Sequence, residues 1–526
     1  MNFQVKSTNE WLYPDDTVAH DGMKTAVLHG AKNGYVGFQV LLNDLTVGAC
    51  YTVKAPKIPG LRVEMYELVA VLCEKNTGPI CFCVDEDAGE DASGYTTRRA
   101  PFRVYDGLKP LENYQLTATS ETMGVYFSIF IESDGDSQRQ ELAFYLKGDD
   151  EKNVIIPVTL TVYDVAIANE KNLAISNWYR LDNIAAQHHV EMFSEEHWRL
   201  IEKYADLMAR TRQTHFWIPN EIREISRGAD GKFNFDFTRT KRLIDLFLSK
   251  GFTHIEGNLI YRRNHFSDTT FVVDILDETV PALSEKAYEF VSQYLTAWRA
   301  FLAENGWLDK LCQHVGDEPT DACKEEYRML SGIVRKFLPG VPLMEAVETF
   351  DLDGAVDIWI PKNNYFDEHR DKFERIRGNG EMLWFYTCCY PGGKYLNRLW
   401  DMPLIRTRLL HWGNYRYDLR GYLHWGFNWC DLDKDPFNQT DILFPPGDTH
   451  ISYPAGAEVW GSMRLEAMRA GVEDYELLLQ LSRVDKGRAD DLCRFVLLEF
   501  DAPNEDVFVF EGVREKILQR LGSVYL

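Results

Sequence analysis

Asp317 and Glu318 stand side by side in HVGDEPT (314–320), between a glycine and a proline and behind the apolar run LDKLCQHV (308–315). Two carboxyls this close divide acid and base work, because each ionised partner raises the pKa of the other. The plain alternative is a loop whose acids decorate a helix start, where the helix dipole favours them. Gly316 allows unusual backbone angles close to a ligand, Pro319 biases Glu318 towards extended geometry, and Thr320 or Asp321 can cap a following helix.

Displacement at a sugar centre by two carboxylates needs them on opposite sides of the scissile bond, roughly 5 to 5.5 Å apart in a retaining enzyme. Neighbours in sequence approach from one side and serve that arrangement badly. They suit a substrate that brings its own nucleophile, as a 2-acetamido sugar does when its carbonyl oxygen attacks the anomeric carbon. Glu318 then protonates the leaving oxygen. Asp317, kept ionised, accepts the acetamido N–H and stabilises the oxazolinium charge. A glycosidase of different sugar specificity with a second carboxylate from another strand end, Glu345 or Glu348, is the two-sided alternative, and a non-catalytic carbohydrate-binding protein is the other.

A second constellation spans LWFYTCCYPGGKYLNRLWDMP (383–403) and RTRLLHWGNYRYDLRGYLHWGFNWCD (406–431). Trp384, Tyr386, Trp412, Trp425, Trp429 and Asn428 are of the types that stack on a pyranose face and bond its hydroxyls. Burial in a core is the other use for such rings, and for any one tryptophan the two readings stand level. Asp431, Asp433 and Asp435 mimic the start of a calcium loop, but Pro436 and Ile442 occupy its glycine and final acid positions, which rejects calcium there. The acidic insert DEDAGEDASG (85–94) reads as a solvated loop, and no CxxC has a matching pair for zinc, so neither metal nor cofactor is expected.

The elements that position these residues change character along the chain. Residues 1–168 are β-rich, with YVGFQVLL (35–42), LRVEMYELVAVL (61–72), GVYFSIFIE (124–132) and NVIIPVTLTVYDV (153–165) separated by Gly, Asp and Asn clusters, which predicts a β-sandwich accessory domain. From 169 to 526 strands and helices alternate. Ser194 caps a helix over 194–211, TRQTHFWIP (211–219) is a strand, further helices cover 238–251, 287–306, 321–337 and 366–377, and strands cover 341–347, 356–361 and 381–387. Repeated βα units predict an α/β fold with a (β/α)8 TIM-like catalytic barrel and C-terminal helices, whose site lies at the C-terminal ends of the strands. A doubly wound sheet is the alternative, weakened by the lack of a Gly-rich phosphate loop.

The chain of 526 residues carries a formal charge of -24 and 13% aromatic residues. That field repels phosphate backbones and anionic membrane surfaces, so the expected partner is a small neutral glycan, with no nucleic acid and no membrane. Oligomeric state is not legible. MNFQVKSTNEWLYPDD lacks the pattern of a signal peptide, and ten cysteines without bridge-like spacing fit reduced thiols, giving a cytoplasmic expectation.

GDEP (316–319), WFYTCCYPGG, GYLHWGFNW and YPAG…RLEAMRAGVEDYELL, within 453–484, together resemble glycoside hydrolase family 123. The resemblance covers most of residues 170–484. It implies an N-acetyl-β-galactosaminidase with a β-sandwich followed by a (β/α)8 barrel and substrate-assisted retention. It further implies Asp317 as the group that orients and polarises the acetamido, Glu318 as general acid/base, and Tyr386 as donor to the acetamido carbonyl. The helix in 453–484, with Glu466/Arg469 and Arg469/Glu473 at helical spacing, is expected to pack on the barrel.

Overall fold

The computed structural model describes residues 1–524. The chain has a mixed α/β fold and divides into two compact units, Met1–Asn172 with Cys389–Tyr417 and Cys430–Leu526, and Leu173–Cys388 with Asp418–Trp429. The sequence boundary at 168/169 lies close to the first crossing. The C-terminal segments, read from sequence as part of the barrel, group instead with the N-terminal strands.

In the first unit a seven-stranded sheet runs Asn2–Lys6, Gly34–Asn43, Met123–Ile131, Leu61–Cys73, Phe102–Pro110, Glu458–Ser462, Tyr453–Ala455. A five-stranded sheet runs Ala26–Lys32, Asn153–Ala166, Arg139–Gly148, Cys50–Lys54, Gln115–Thr117. Alternation decides which faces meet. In Asn153–Ala166, Val154, Ile156, Val158, Leu160 and Val162 are buried while the residues between them face outward, as the period of 2 requires. Phe38 stacks on Phe127 at 4.8 Å, and both meet Phe144 of the other sheet edge-on at 5.2 and 5.0 Å, so the two sheets share one core.

Helix Met463–Val484 belongs to this unit. Its charges are buried and matched by the N-terminal strands: Tyr126 donates to Glu466 at 2.8 Å, the Tyr35 N–H donates to Glu473 at 3.1 Å, and Arg469 lies 3.6 Å from the centre of the Tyr35 ring. Arg464 pairs with Asp106 at 2.9 Å, both fully buried. The helix read from sequence with the barrel groups with these strands. Buried charge goes where its partners are, and here they lie on sheet strands 340 to 438 residues away in sequence.

In the second unit all the short pairings among the following strands are parallel. Ala174–Asn177 pairs with Gly421–His424, which pairs with Phe385–Tyr386; His215–Trp217 pairs with His254–Gly257, which pairs with Leu311–Gln313; Met344–Val347 pairs with Ile358–Pro361, which pairs with Met382–Leu383. Single parallel bridges join Gln313 to Leu343 and Lys362 to Tyr386, and the Thr214 N–H donates to the Ile175 carbonyl at 3.1 Å. Parallel neighbours need long crossovers, and helices Glu195–Arg210, Thr238–Ser249, Glu285–Glu304, Lys324–Phe337 and Arg370–Gly378 supply five of them. Ser194 caps the first of these, accepting from the His197 N–H at 3.2 Å. Two hairpins, Glu224–Arg227 with Phe233–Asp236 and Val272–Ile275 with Glu278–Pro281, occupy loops behind strand ends and have no counterpart in the sequence reading.

Candidate active site

The chain leaves strand Leu311–Gln313 through His314, which is clamped between two carboxylates. His314 Nδ1 lies 2.8 Å from Glu345 Oε1 and Nε2 lies 2.8 Å from Glu256 Oε1, with all three side chains 0% exposed. Glu345 also accepts from the N–H groups of Val315 (3.0 Å) and Gly316 (2.9 Å) and from the Tyr327 hydroxyl (3.1 Å). Glu256 accepts from Trp178 Nε1 at 2.5 Å and from the Ser176 hydroxyl. Burial by itself disfavours the imidazolium, but Glu345 and Glu256 outweigh it and lift the His314 pKa to about 10. The strand end is thus pinned by a buried ionic clamp, and Glu345, one candidate for a second carboxylate, is enclosed in it.

Beyond the clamp, glycine at 316 answers to a lack of room. A Cβ there would come within 2.7 Å of the Phe271 ring, and the parallel bridge to Tyr261 brings a second chain alongside. The expected extended geometry at Glu318 is not found: its φ is +47°, in the left-handed region that a non-glycine residue enters only at a cost of about 1–3 kcal/mol. Arg263 stabilises the turn, donating to the Glu318 carbonyl at 2.7 Å and to the Asp317 carbonyl at 3.4 Å. The Glu348 N–H holds the next carbonyl, that of Pro319, at 3.1 Å. Tertiary hydrogen bonds thereby override the bias set by the proline. Neither Thr320 nor Asp321 caps the next helix, which begins at Lys324 with no side-chain cap; the Asp321 carboxylate accepts from the Thr349 hydroxyl at 2.5 Å instead.

The turn sets two different environments on adjacent carboxyls. Tyr386 Oη is within hydrogen-bond distance of Glu318 and lies 3.0 Å from Glu348 Oε1, while Lys362 Nζ pairs with that same Glu348 oxygen. Among the described residues no protein donor meets the Asp317 carboxyl. Burial and the charges of Glu318 and Glu345 push the Asp317 pKa well above the usual carboxylate range, against the pull of His314 and Arg263. Burial also raises Glu318, opposed by Lys362 and reinforced by Glu348. Burial and the two glutamates raise the Tyr386 phenol, so it stays protonated. Both carboxyls are pushed to hold protons, Asp317 at least as strongly as Glu318, so burial does not favour the ionised Asp317 expected from the sequence; its carboxyl is the one left open to a ligand.

The aromatic residues divide. Trp425 and Trp429 are partly exposed and meet at 5.6 Å, tilted 58°. Trp384 is 1% exposed, with its ring edge-on to His215 at 4.9 Å and filling the space beside Gly421. Those neighbours open their strands, so Trp384 sits at the strand starts, away from the carboxyl pair. Asn428 accepts from the Arg180 N–H at 2.9 Å and donates to the Arg180 carbonyl at 3.0 Å, pinning a loop. Trp412 is fully buried in the first unit, where its indole N–H donates to Asp474 at 3.1 Å. Sequence reasoning gave no role to Trp178 and Trp217, which stack at 4.4 Å and both stand edge-on to His314 at 5.5 and 5.6 Å. Each directly follows or ends a parallel strand, and that placement was the available signal. Arg263 and Lys362 were missed as well, since single cations in loops carry no local pattern. Among the described residues no group of three His, Cys, Asp or Glu side chains could hold a metal ion, and no helix is long and apolar enough to cross a membrane.

Parallel strands with a carboxyl pair and aromatic rings at their ends fit the mixed α/β glycoside hydrolases. The family model for "Glycoside hydrolase 123, catalytic domain" matches residues 178–481, a span containing the whole carboxyl cluster, and the chain belongs to glycoside hydrolase family 123. A family 123 glycoside hydrolase from Clostridium perfringens, solved to detail glycolipid glycan hydrolysis, superposes with a TM-score of 0.78 at 14% identity over 100% of both chains, a likeness of fold. A GH5 xyloglucanase from Bacteroides ovatus reaches a TM-score of 0.36 at 8% identity, covering 87% of this chain and 99% of its own. A Thermobacillus composti GH10 xylanase reaches 0.34 at 12% identity, covering 57% and 97%. Comparison with the curated proteins gives no match.

Proposed function

We propose that this protein is a retaining exo-glycosidase that removes terminal β-linked N-acetylgalactosamine, or a related 2-acetamido sugar, by substrate-assisted catalysis. The observation that carries the reading is the division of labour in the carboxyl pair. Glu318 faces the Tyr386 hydroxyl, while Asp317, also deep in the site, has no protein donor and suits a substrate N–H. Glu318 gives its proton to the glycosidic oxygen as that C–O bond breaks. The acetamido oxygen closes on the anomeric carbon, and Asp317 offsets the oxazolinium charge. Glu318 then draws a proton from the water that opens the ring, restoring the anomeric configuration. The parallel strands are read as one closed (β/α)8 barrel and the two stacked sheets as a β-sandwich, with the Trp178/Trp217 and Trp425/Trp429 pairs as sugar-stacking walls.

A two-sided displacement between Glu318 and Glu348 is the other reading that a specific contact raises. Both reach one phenol oxygen, so the room a scissile bond would need is filled by Tyr386 itself. Paired assays on nitrophenyl N-acetyl-β-galactosaminide and its 2-hydroxy analogue test the reading. Turnover of the first, with inhibition by a thiazoline analogue, is expected; turnover of the 2-hydroxy sugar alone would overturn it.

A further inference from the structure

One phenol facing two carboxylates poses a question of proton count. Tyr386 has a single O–H, yet its oxygen contacts both Glu318 Oε1 and Glu348 Oε1. With both glutamates ionised, one of these contacts would set two lone pairs against each other in a buried place. Lys362 pairs with the Glu348 oxygen, and an ammonium at that oxygen favours Glu348 as the hydrogen-bond acceptor of the two. The proton count closes when Glu318 is the neutral carboxyl, its O–H donating to the phenol oxygen while the phenol O–H donates to Glu348.

We propose that Tyr386, Glu348 and Lys362 form a switchable hydrogen-bond relay in which the single phenol hydrogen rests on Glu348 while Glu318 is an acid and turns to Glu318 as that residue loses its proton. The inference rests on Glu318 being the general acid of the reading above. In the resting state Glu318 O–H donates to Tyr386 and Tyr386 O–H to Glu348, whose charge Lys362 matches. When a sugar binds, the Glu318 proton passes to the leaving oxygen, and the departing alcohol carries it away. Tyr386 then rotates its O–H onto the new Glu318 carboxylate, and Lys362 alone satisfies Glu348. No net charge enters or leaves the relay, and protonation of Glu318 by the second-step water resets it. Glu348 and Lys362 are positioning residues, since they act through Tyr386 and touch no reacting atom.

Every charged group around Glu318 bears on the test. Lys362, Glu348, Tyr386 and Arg263 face it, Asp317 adjoins it with His314 and Glu345 behind, and Cys388 faces Lys362 and Tyr386. The experiment follows the Glu318 carboxylic C=O infrared band against pH, with Glu318→Gln as spectral reference, beside the basic limb of kcat/KM on an aryl N-acetyl-β-galactosaminide. Glu348→Gln frees the phenol hydrogen for Glu318 and takes a negative charge away from beside it, so the midpoint is expected to fall by about one pH unit. Lys362→Met is expected to raise it by a similar amount, and Lys362→Arg to restore it. Plain charge effects give the same signs, so the deciding comparison is Glu348→Gln in a Tyr386→Phe background, where the shift is expected to drop below half. An undiminished shift there, or unmoved midpoints in the single variants, overturns the relay. If no 2-acetamido sugar is hydrolysed the functional reading fails, while the infrared titration, which needs no substrate, still decides the relay.

Discussion

Raising the pH through 10 should release the His314 clamp, and the size of the effect follows from the structure. His314 is completely buried between Glu256 and Glu345, and its pKa stands at about 10 against an ordinary 6.5. A group whose pKa is raised on folding contributes stability that is fully present below its unfolded pKa and lost as pH climbs through the folded one. The window is therefore pH 6.5 to 10. At 1.36 kcal/mol per pH unit the clamp holds about 4–5 kcal/mol, which for a unit of this size is about 10 °C in Tm. The comparison is with the double variant Glu256→Gln/Glu345→Gln, in which a buried neutral imidazole has no charge to lose. The difference in Tm between wild type and double variant should fade as pH climbs towards 10 and keep growing as pH falls through 6.5, because the variant's unfolded chain then binds a proton that its buried neutral imidazole does not. Histidine NMR should show both His314 ring nitrogens protonated at pH 8. An imidazole that titrates near 6.5, or a Tm difference that does not change across the window, refutes the reasoning.

Three further outcomes follow from the same geometry. Gly316→Ala drives a methyl into Phe271, so kcat should fall at least tenfold with little change in KM, and Phe271→Leu should restore much of it; an active Gly316→Ala would mean the strand end gives way. Under the proposed reading the Asp317/Glu318 pair must hold one proton, and both pKa values are raised, so kcat/KM should climb with pH as the pair loses its first proton, at a midpoint above the usual carboxylate range of about 4, and fall again as it loses the second; an acid limb at or below 4 would contradict this. Trp178→Phe removes the indole N–H from Glu256 and half of a stacked wall, and should raise KM several-fold while the His314 resonances shift; unchanged KM would take Trp178 out of the sugar path.

What the sequence alone determined was local. Alternation at 153–165 marked a strand with one buried face, Ser194 marked a helix start, and the GDEP run marked a carboxyl pair behind a strand, because each is written in residues close enough to interact through the backbone. The family followed from the same strings. Tertiary structure decided everything that depends on partners far along the chain. Asp317 and Glu318, alike in sequence, became unlike because Tyr386, 68 residues on, and Glu348 and Lys362 reach one of them and leave the other open. Glu318 took a left-handed turn against the bias of Pro319 because Arg263, 55 residues back, holds its carbonyl. Trp384 and Asn428 resembled sugar contacts by type, but burial beside His215 and a pair of bonds to the Arg180 backbone gave them other work. A residue's type fixes what chemistry it can do; desolvation and the charges brought beside it by the fold fix whether it holds a proton, and at which pH it lets go.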